Sequence, residues 1–231
     1  MSRAVSSLQL GKNEYVIGDV GFFLYITSAV SLLFIGTFYG LLTQYAFPIL
    51  LTLVPALIGM VFAIGTGALQ LRITKFGITG TFFAVLMLFF IFGFGAIITL
   101  IKPPQASVGT IILQLQPIIS IIFYGSVGAQ EEAFWRGLYM ALRKFFPGFT
   151  AWVIIIIALF AGGILVHQAV ALTLFSGTIF SAPGYFLWIG ISWVAYAVIL
   201  EATKNFGVNS LAHSTWNVGV TIYNLKVLGI I

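Results

Sequence analysis

Apolar runs long enough to cross a bilayer alternate with short polar breaks along this chain. Residues 1–19 are mixed, with Arg3, Lys12, Glu14 and Asp19. A first apolar run extends from Val20 to Leu42 and a second from Tyr45 to Leu69. Pro48 and Pro55 lie in the second, and Pro55 is predicted to kink it. After Arg72 and Lys75 a third run covers Ile78–Ile101, and Lys102-Pro103-Pro104-Gln105 stops it. Residues 106–116 are moderately apolar and read as an interfacial helix. The fourth run starts at Pro117, is interrupted by Glu131, Glu132 and Arg136, and continues to Arg143-Lys144. The fifth covers Thr150–Phe175, the sixth Gly184–Leu200 and the seventh Val208–Leu228. A helix rising about 1.5 Å per residue needs about 20 residues to span roughly 30 Å of hydrocarbon. The runs are unbroken and do not alternate as the strands of a membrane β-barrel do. The pattern predicts an all-α, polytopic transmembrane helix bundle of about seven spans (six to eight). It forms one membrane domain, with accessory helices in 1–116 and the chemistry-bearing helices in 117–231. The first run exceeds a signal-peptide core and no small-residue cleavage site follows it, so it is expected to stay as a span.

Composition removes the soluble alternatives. Hydrophobic residues make up 61% and charged residues 6% of the chain, against about 25% charged in soluble domains. With no cysteine, disulfides, thiolate ligands and a cysteine nucleophile are excluded. Asp19 is the one aspartate, which excludes a two-aspartate protease. Neither His167 nor His213 lies in an H-E-x-x-H sequence, which excludes the zincin-type helix. The net charge of +5 comes from basic residues spread over breaks, so no nucleic-acid partner is expected. With the N-terminus in the cytoplasm, Arg3, Lys12, Arg72, Lys75, Arg143, Lys144 and Lys204 fall inside, and Lys102 and Lys226 outside. That orientation obeys the positive-inside rule.

Six polar residues sit where they are expensive: Glu131, Glu132, Arg136, His167, His213 and Asn217. A charge at mid-bilayer costs at least about 2.5–3.5 kcal/mol, so such groups face a protein interior or an aqueous cavity. Glu132 and Arg136 are four residues apart and can pair on one helix face. Glu131 projects about 100° away with no partner along its helix. An unpaired carboxylate in a partly dry cavity is a poised general base or acid. His213 and Asn217 share a face of the last helix. Each also has a plainer reading: an ion pair that serves structure, or hydrogen bonds that join helices. Glu201 and Lys204 fall at a span end and need no function.

The stretch Glu131-Glu132-Ala133-Phe134-Trp135-Arg136 resembles the E-E-x-x-x-R signature of the CPBP family. These intramembrane proteases include the CAAX-processing endoproteases and the bacteriocin-processing, abortive-infection-like proteins. His213-Ser214-Thr215-Trp216-Asn217 resembles the family's H-x-x-x-N/D motif, and Gly207 to Ala212 its usual lead-in. The F-x-x-x-H motif is matched at His167 alone, with Gly163 in place of the phenylalanine and Phe160 nearby. The resemblance covers roughly 117–220. It implies that Glu131 activates a water, that His167 holds that water or shares its proton, and that His213 and Asn217 stabilise an oxyanion. It implies that Glu132 and Arg136 order the site. The implied substrate is a CAAX, prenylated or other membrane-associated peptide. The family is often labelled metalloprotease, and Glu131, His167 and His213 are the candidate ligands if zinc is present. A metal-free, glutamate-activated water is the simpler alternative, and the sequence leaves both open.

Competing readings are a non-proteolytic immunity or scaffold protein of the same fold, and a proton-coupled transporter. No internal repeat of the span pattern supports the transporter. A rhomboid-type serine protease is weaker, because Gly125-Ser126-Val127-Gly128 lacks the G-x-S-G order. One geometric difficulty stands out. His167 lies about 25 Å along its helix from Thr150, whereas His213 follows Val208 by five residues. A break or bend at Gly162-Gly163 is one expected remedy, and helix boundaries shifted by several residues are the other.

Overall fold

The computed structural model describes residues 15–38, 46–71, 117–174, 183–227 and 229–231. Two short strands and six helices occur among them: β1 (Tyr15–Val16), α1 (Asp19–Phe38), α2 (Ala46–Gly65), β2 (Leu69–Gln70), α3 (Pro117–Phe145), α4 (Phe149–Leu174), α5 (Pro183–Thr203) and α6 (Phe206–Val227). The expected third run at 78–101, the stop at 102–105 and the interfacial segment at 106–116 lie outside the described residues. So do Arg3, Lys12, Glu14, Arg72 and Lys75.

The helices follow the apolar runs to within a few residues, and α2 continues through Pro55. The charges at Glu131, Glu132 and Arg136 interrupt the apolar run but not the helix, and α3 is one helix of 29 residues. Within it, Arg136 pairs with Glu132 one turn away, so the charges meet inside the helix and do not break it. Among the described residues, two helices are long and apolar enough to cross a membrane by themselves, over Phe149–His167 and Phe186–Thr203. Outward faces are apolar, with Phe23, Phe34, Val61, Ile157 and Leu165 all exposed.

α3 is the axis of the bundle, packed against α1, α2 and α6, while α4 packs chiefly on α5. Glycines permit the closest crossings. A Cβ on Gly137 would lie 2.4 Å from the Gly59 carbonyl oxygen, and one on Gly21 would lie 2.3 Å from Gly207 Cα. The backbones of α2 and α3, and of α1 and α6, therefore touch directly.

One end of the bundle is closed by polar and main-chain bonds that sequence periodicity does not announce. α2 ends in a Schellman arrangement, with Gly67 N–H donating to Ile64 O, Ala68 N–H donating to Ala63 O, and Gly67 at φ 66°. That turn delivers β2 beside β1, in parallel register Tyr15–Leu69 and Val16–Gln70. On its other side Val16 N–H donates to Lys204 O. Asn205 then caps α6, its Oδ1 accepting from Gly207 N–H at 2.8 Å.

Glu201 is the hub of this end. Its carboxylate accepts from Tyr15 at 3.0 Å, Tyr139 at 2.8 Å and Arg143 at 2.6 Å, and it pairs with Lys204. Burial, and then the adjacent Glu201 carboxylate, push the Tyr15 phenol above its ordinary pKa, so it stays a donor. Sequence reading gave Glu201 no role. Here it joins β1, α3 and α5.

Candidate active site

Glu132 is the most engaged side chain at the centre of the bundle. It is 1% exposed, as is Arg136. Arg136 Nε donates to its Oε2 at 2.9 Å, and Asn209 Nδ2 donates to the same oxygen at 3.2 Å. His213 Nδ1 donates to Oε1 at 2.9 Å. Both carboxylate oxygens are thus satisfied by charged or amide donors, as a buried anion requires.

Glu131 has the opposite environment. Its side chain is 34% exposed, and its nearest ionisable neighbour is His213 Nε2 at 3.5 Å. The two glutamates are adjacent in sequence, so the helix turns them about 100° apart, burying one and leaving the other part-exposed.

His213 bridges them. Glu132 fixes a proton on Nδ1, which in the neutral ring leaves a lone pair on Nε2. That Nε2 stands 3.5 Å from Glu131 Oε2. The Tyr196 ring stacks on His213 at 5.0 Å and 17°, which fixes the imidazole plane.

Asn217, one turn further along α6, donates from Nδ2 to Tyr124 O at 3.1 Å. An amide nitrogen has two hydrogens, so one remains for another acceptor. Gly128 creates the space, since a Cβ there would lie 3.0 Å from Asn217 Nδ2 and from the His213 carbonyl oxygen.

His167 arrives from α4. Its Nδ1 donates to Gly163 O at 2.9 Å, which leaves Nε2 as an acceptor. It makes no direct bond to the glutamates, but the charges of Glu131 and His213 both act on it. All six sequence-selected residues therefore lie in one region, five of them on α3 and α6.

The depth problem has a different answer from the one expected. α4 runs unbroken through Gly162-Gly163. Instead α6 starts deep, beneath the strands and the Lys204–Asn205 turn. Asn209, near its first turn, already reaches Glu132, which lies about 20 Å along α3 from Phe145.

Sequence reading missed α5. Trp193 O accepts from Arg136 Nη1 at 3.2 Å, and Tyr196 O accepts from Asn209 Nδ2 at 2.6 Å. The Arg136 guanidinium also lies 5.8 Å from the Trp193 and Tyr196 ring centroids. Asn209 belonged to the recognised lead-in but was given no role; its position four residues before His213 was the available signal. Aromatics in an apolar run carry no comparable signal.

As to zinc, no three histidine or carboxylate side chains converge on a point among the described residues. Nδ1 of both histidines is engaged, by Glu132 and by Gly163 O, and their Nε2 atoms are not. No step below is routed through a metal.

The family model for type II CAAX prenyl endopeptidases of the Rce1-like kind matches residues 113–219. The match contains every motif residue and α3 to α6 up to the last turns of α6. No curated protein matches the chain. No solved structure matches it either. Over residues 113–219, a little under half of the chain, the sequence is similar to CAAX-type membrane proteases, which supports the resemblance to the CPBP family carried by the motifs.

Proposed function

We propose that the protein is an intramembrane endopeptidase in which Glu131 activates a water for attack on a peptide carbonyl. The observation that carries this reading is the contrast between the two glutamates. Glu132 has every oxygen committed to structure, while Glu131 is partly exposed and, among the described residues, held by His213 alone.

In the reaction, Glu131 takes a proton as the water oxygen bonds to the carbonyl carbon. His167 Nε2, an acceptor, holds the second hydrogen of that water. The carbonyl becomes an oxyanion, and the free N–H of Asn217 and the Nε2 proton of His213 are its donors. The C–N bond then breaks, and the proton carried by Glu131 passes to the leaving amine. Glu132 and Arg136 position His213 and take no part in bond changes. The water is metal-free in this reading. The substrate class is a membrane-associated peptide, with a prenylated CAAX tail the foremost case.

The membrane arrangement is part of the proposal. Lys144 Nζ donates to Gly67 O, so α2 and α3 both end at the Glu201 side of the bundle. Pro117 opens α3 at the other side. The proposal keeps the count of seven spans read from the sequence, with accessory helices in 1–116. Arg143, Lys144 and Lys204 gather at one end, which supports a cytoplasmic N-terminus.

The test is peptidase activity of purified wild type and Glu131→Gln on prenylated and unmodified CAAX peptides, with and without chelator. A loss of about 10²–10⁴-fold in kcat, with wild-type activity surviving chelation, is expected. Undiminished cleavage by Glu131→Gln would remove the role of Glu131. Activity lost to chelator and restored by zinc would replace the metal-free water with a metal-bound one. Biological function retained in Glu131→Gln without cleavage would favour the scaffold reading.

A further inference from the structure

α4 is the least anchored of the helices that carry the site. It packs chiefly on α5, and its contact with α3 is slight. Most of its apolar surface faces outward, with Ile154, Ile157 and Leu165 exposed. Yet His167 must be aimed at Glu131, which stands on α3. Something on α5 has to transmit the register of α3 to α4.

Trp193 has the required contacts on both sides. Toward α3, its carbonyl accepts from Arg136 Nη1 at 3.2 Å and its ring lies 4.4 Å from the Trp135 ring. Toward α4, the indole fills the hollow over Gly163, where an added Cβ would lie 2.7 Å from Cδ2 and 2.8 Å from Cγ. The ring is edge-on to His167, with centroids 6.0 Å apart and planes at 84°. Gly163 is also the residue whose carbonyl accepts from His167 Nδ1. One indole therefore contacts the backbone position that fixes the His167 tautomer and the imidazole itself. Phe160 seats in the matching hollow at Gly190, so the α4–α5 contact is locked at two points. The locking pair at Gly163 is the one that touches the site.

We propose that Trp193 is a positioning residue that holds His167 as the Nδ1–H tautomer with Nε2 turned toward Glu131. Its mechanistic meaning rests on the endopeptidase reading, but its geometry does not. Tyr196, one turn along the same helix, does the corresponding work for His213 by stacking. The two histidines are thus oriented by two aromatics of α5, and the variants below separate them.

The chain has two histidines, so histidine-selective ¹⁵N labelling of the full chain in detergent micelles gives two sets of ring signals. His213→Gln assigns them. In wild type, His167 is expected to show one tautomer. In Trp193→Leu its signals should average between tautomers while those of His213 stay in place. Trp193→Phe, which keeps a ring edge over Gly163, should retain the wild-type signature. Gly163→Ala leaves the indole but displaces it, and serves if Trp193→Leu does not fold. It should disturb His167 in the same way. In the peptidase assay Trp193→Leu should lower kcat about tenfold with KM within twofold. An unmoved His167 in either folded variant overturns the proposal, as does an equal disturbance of both histidines. The spectroscopic readout needs no turnover, so it stands or falls independently of Glu131.

Discussion

Replacing Glu132 by glutamine keeps the shape of the side chain and removes its charge. The structure gives the cost. Three donors converge on this carboxylate, from Arg136 at 2.9 Å, His213 at 2.9 Å and Asn209 at 3.2 Å. Hydrogen bonds to charged groups contribute about 1.5–3 kcal/mol each. Glutamine keeps one acceptor oxygen, so the sum of three is not lost. The larger effect is on Arg136, 1% exposed, which is left without its counter-charge. Breaking a buried pair from one side costs about 3–5 kcal/mol, a large share of a total stability of about 5–15 kcal/mol. Arg136→Met alone should cost less, because His213 and Asn209 still serve Glu132. The double variant Glu132→Gln, Arg136→Met should recover to within about 2 kcal/mol of wild type, since neutral packing replaces a desolvated pair and only the bonds to Trp193 O and from one of His213 and Asn209 are forgone. The measurement is SDS titration in mixed micelles, followed by tryptophan fluorescence. A Glu132→Gln protein within 1 kcal/mol of wild type would refute the reasoning. So would a double variant as unstable as the sum of the singles, because a pair that acts as a unit must show coupling.

Two further outcomes follow from the geometry. Asn217→Ala should lower kcat by about 10²–10³-fold, the typical loss for one oxyanion donor, with KM little changed; an unaltered kcat in the peptidase assay would remove Asn217 from the mechanism. Gly207→Ala places a methyl 2.7 Å from Gly21 N and 2.8 Å from Ile17 O, forcing α1 off α6. The same SDS titration should show a loss of about 1–3 kcal/mol, and no loss would mean that the crossing is looser than described.

The site was legible in the sequence because the membrane makes polar residues conspicuous. Glu131, Glu132, Arg136, His167, His213 and Asn217 stood out against apolar runs, and the structure brings them to one region. The pairings were only half legible. Helical spacing finds Arg136 for Glu132, since the two share a turn. It is blind to the bonds from His213 and Asn209, which come from another helix 77 and more positions away. Trp193 and Tyr196 were invisible for the opposite reason, since aromatics in an apolar run are what lipid and packing both favour. The strands β1 and β2 are two residues each, too short for any period. Those strands and the turn at Asn205 are what set α6 deep, and so the depth of His213 was misjudged.

Why adjacent glutamates should sit at such a site is a question of charge balance. Burying carboxylates in a bilayer is tolerable when each has a cation in reach. Glu132 has Arg136, while Glu131 stays part-exposed, with His213 Nε2 3.5 Å away. The two glutamates are not isolated, because His213 also bonds Glu132 through Nδ1. In the proposed reaction Glu131 loses its charge on taking a proton from water. The negative charge does not leave the site. It reappears on the substrate oxygen, which must then lie beside His213 Nε2 and Asn217. His213 therefore faces an anion before and after the attack, with Glu132 holding it in place throughout. A single glutamate serving as both base and anchor would lose the anchor at the moment of reaction. Two neighbours turned about 100° apart on one helix separate those duties.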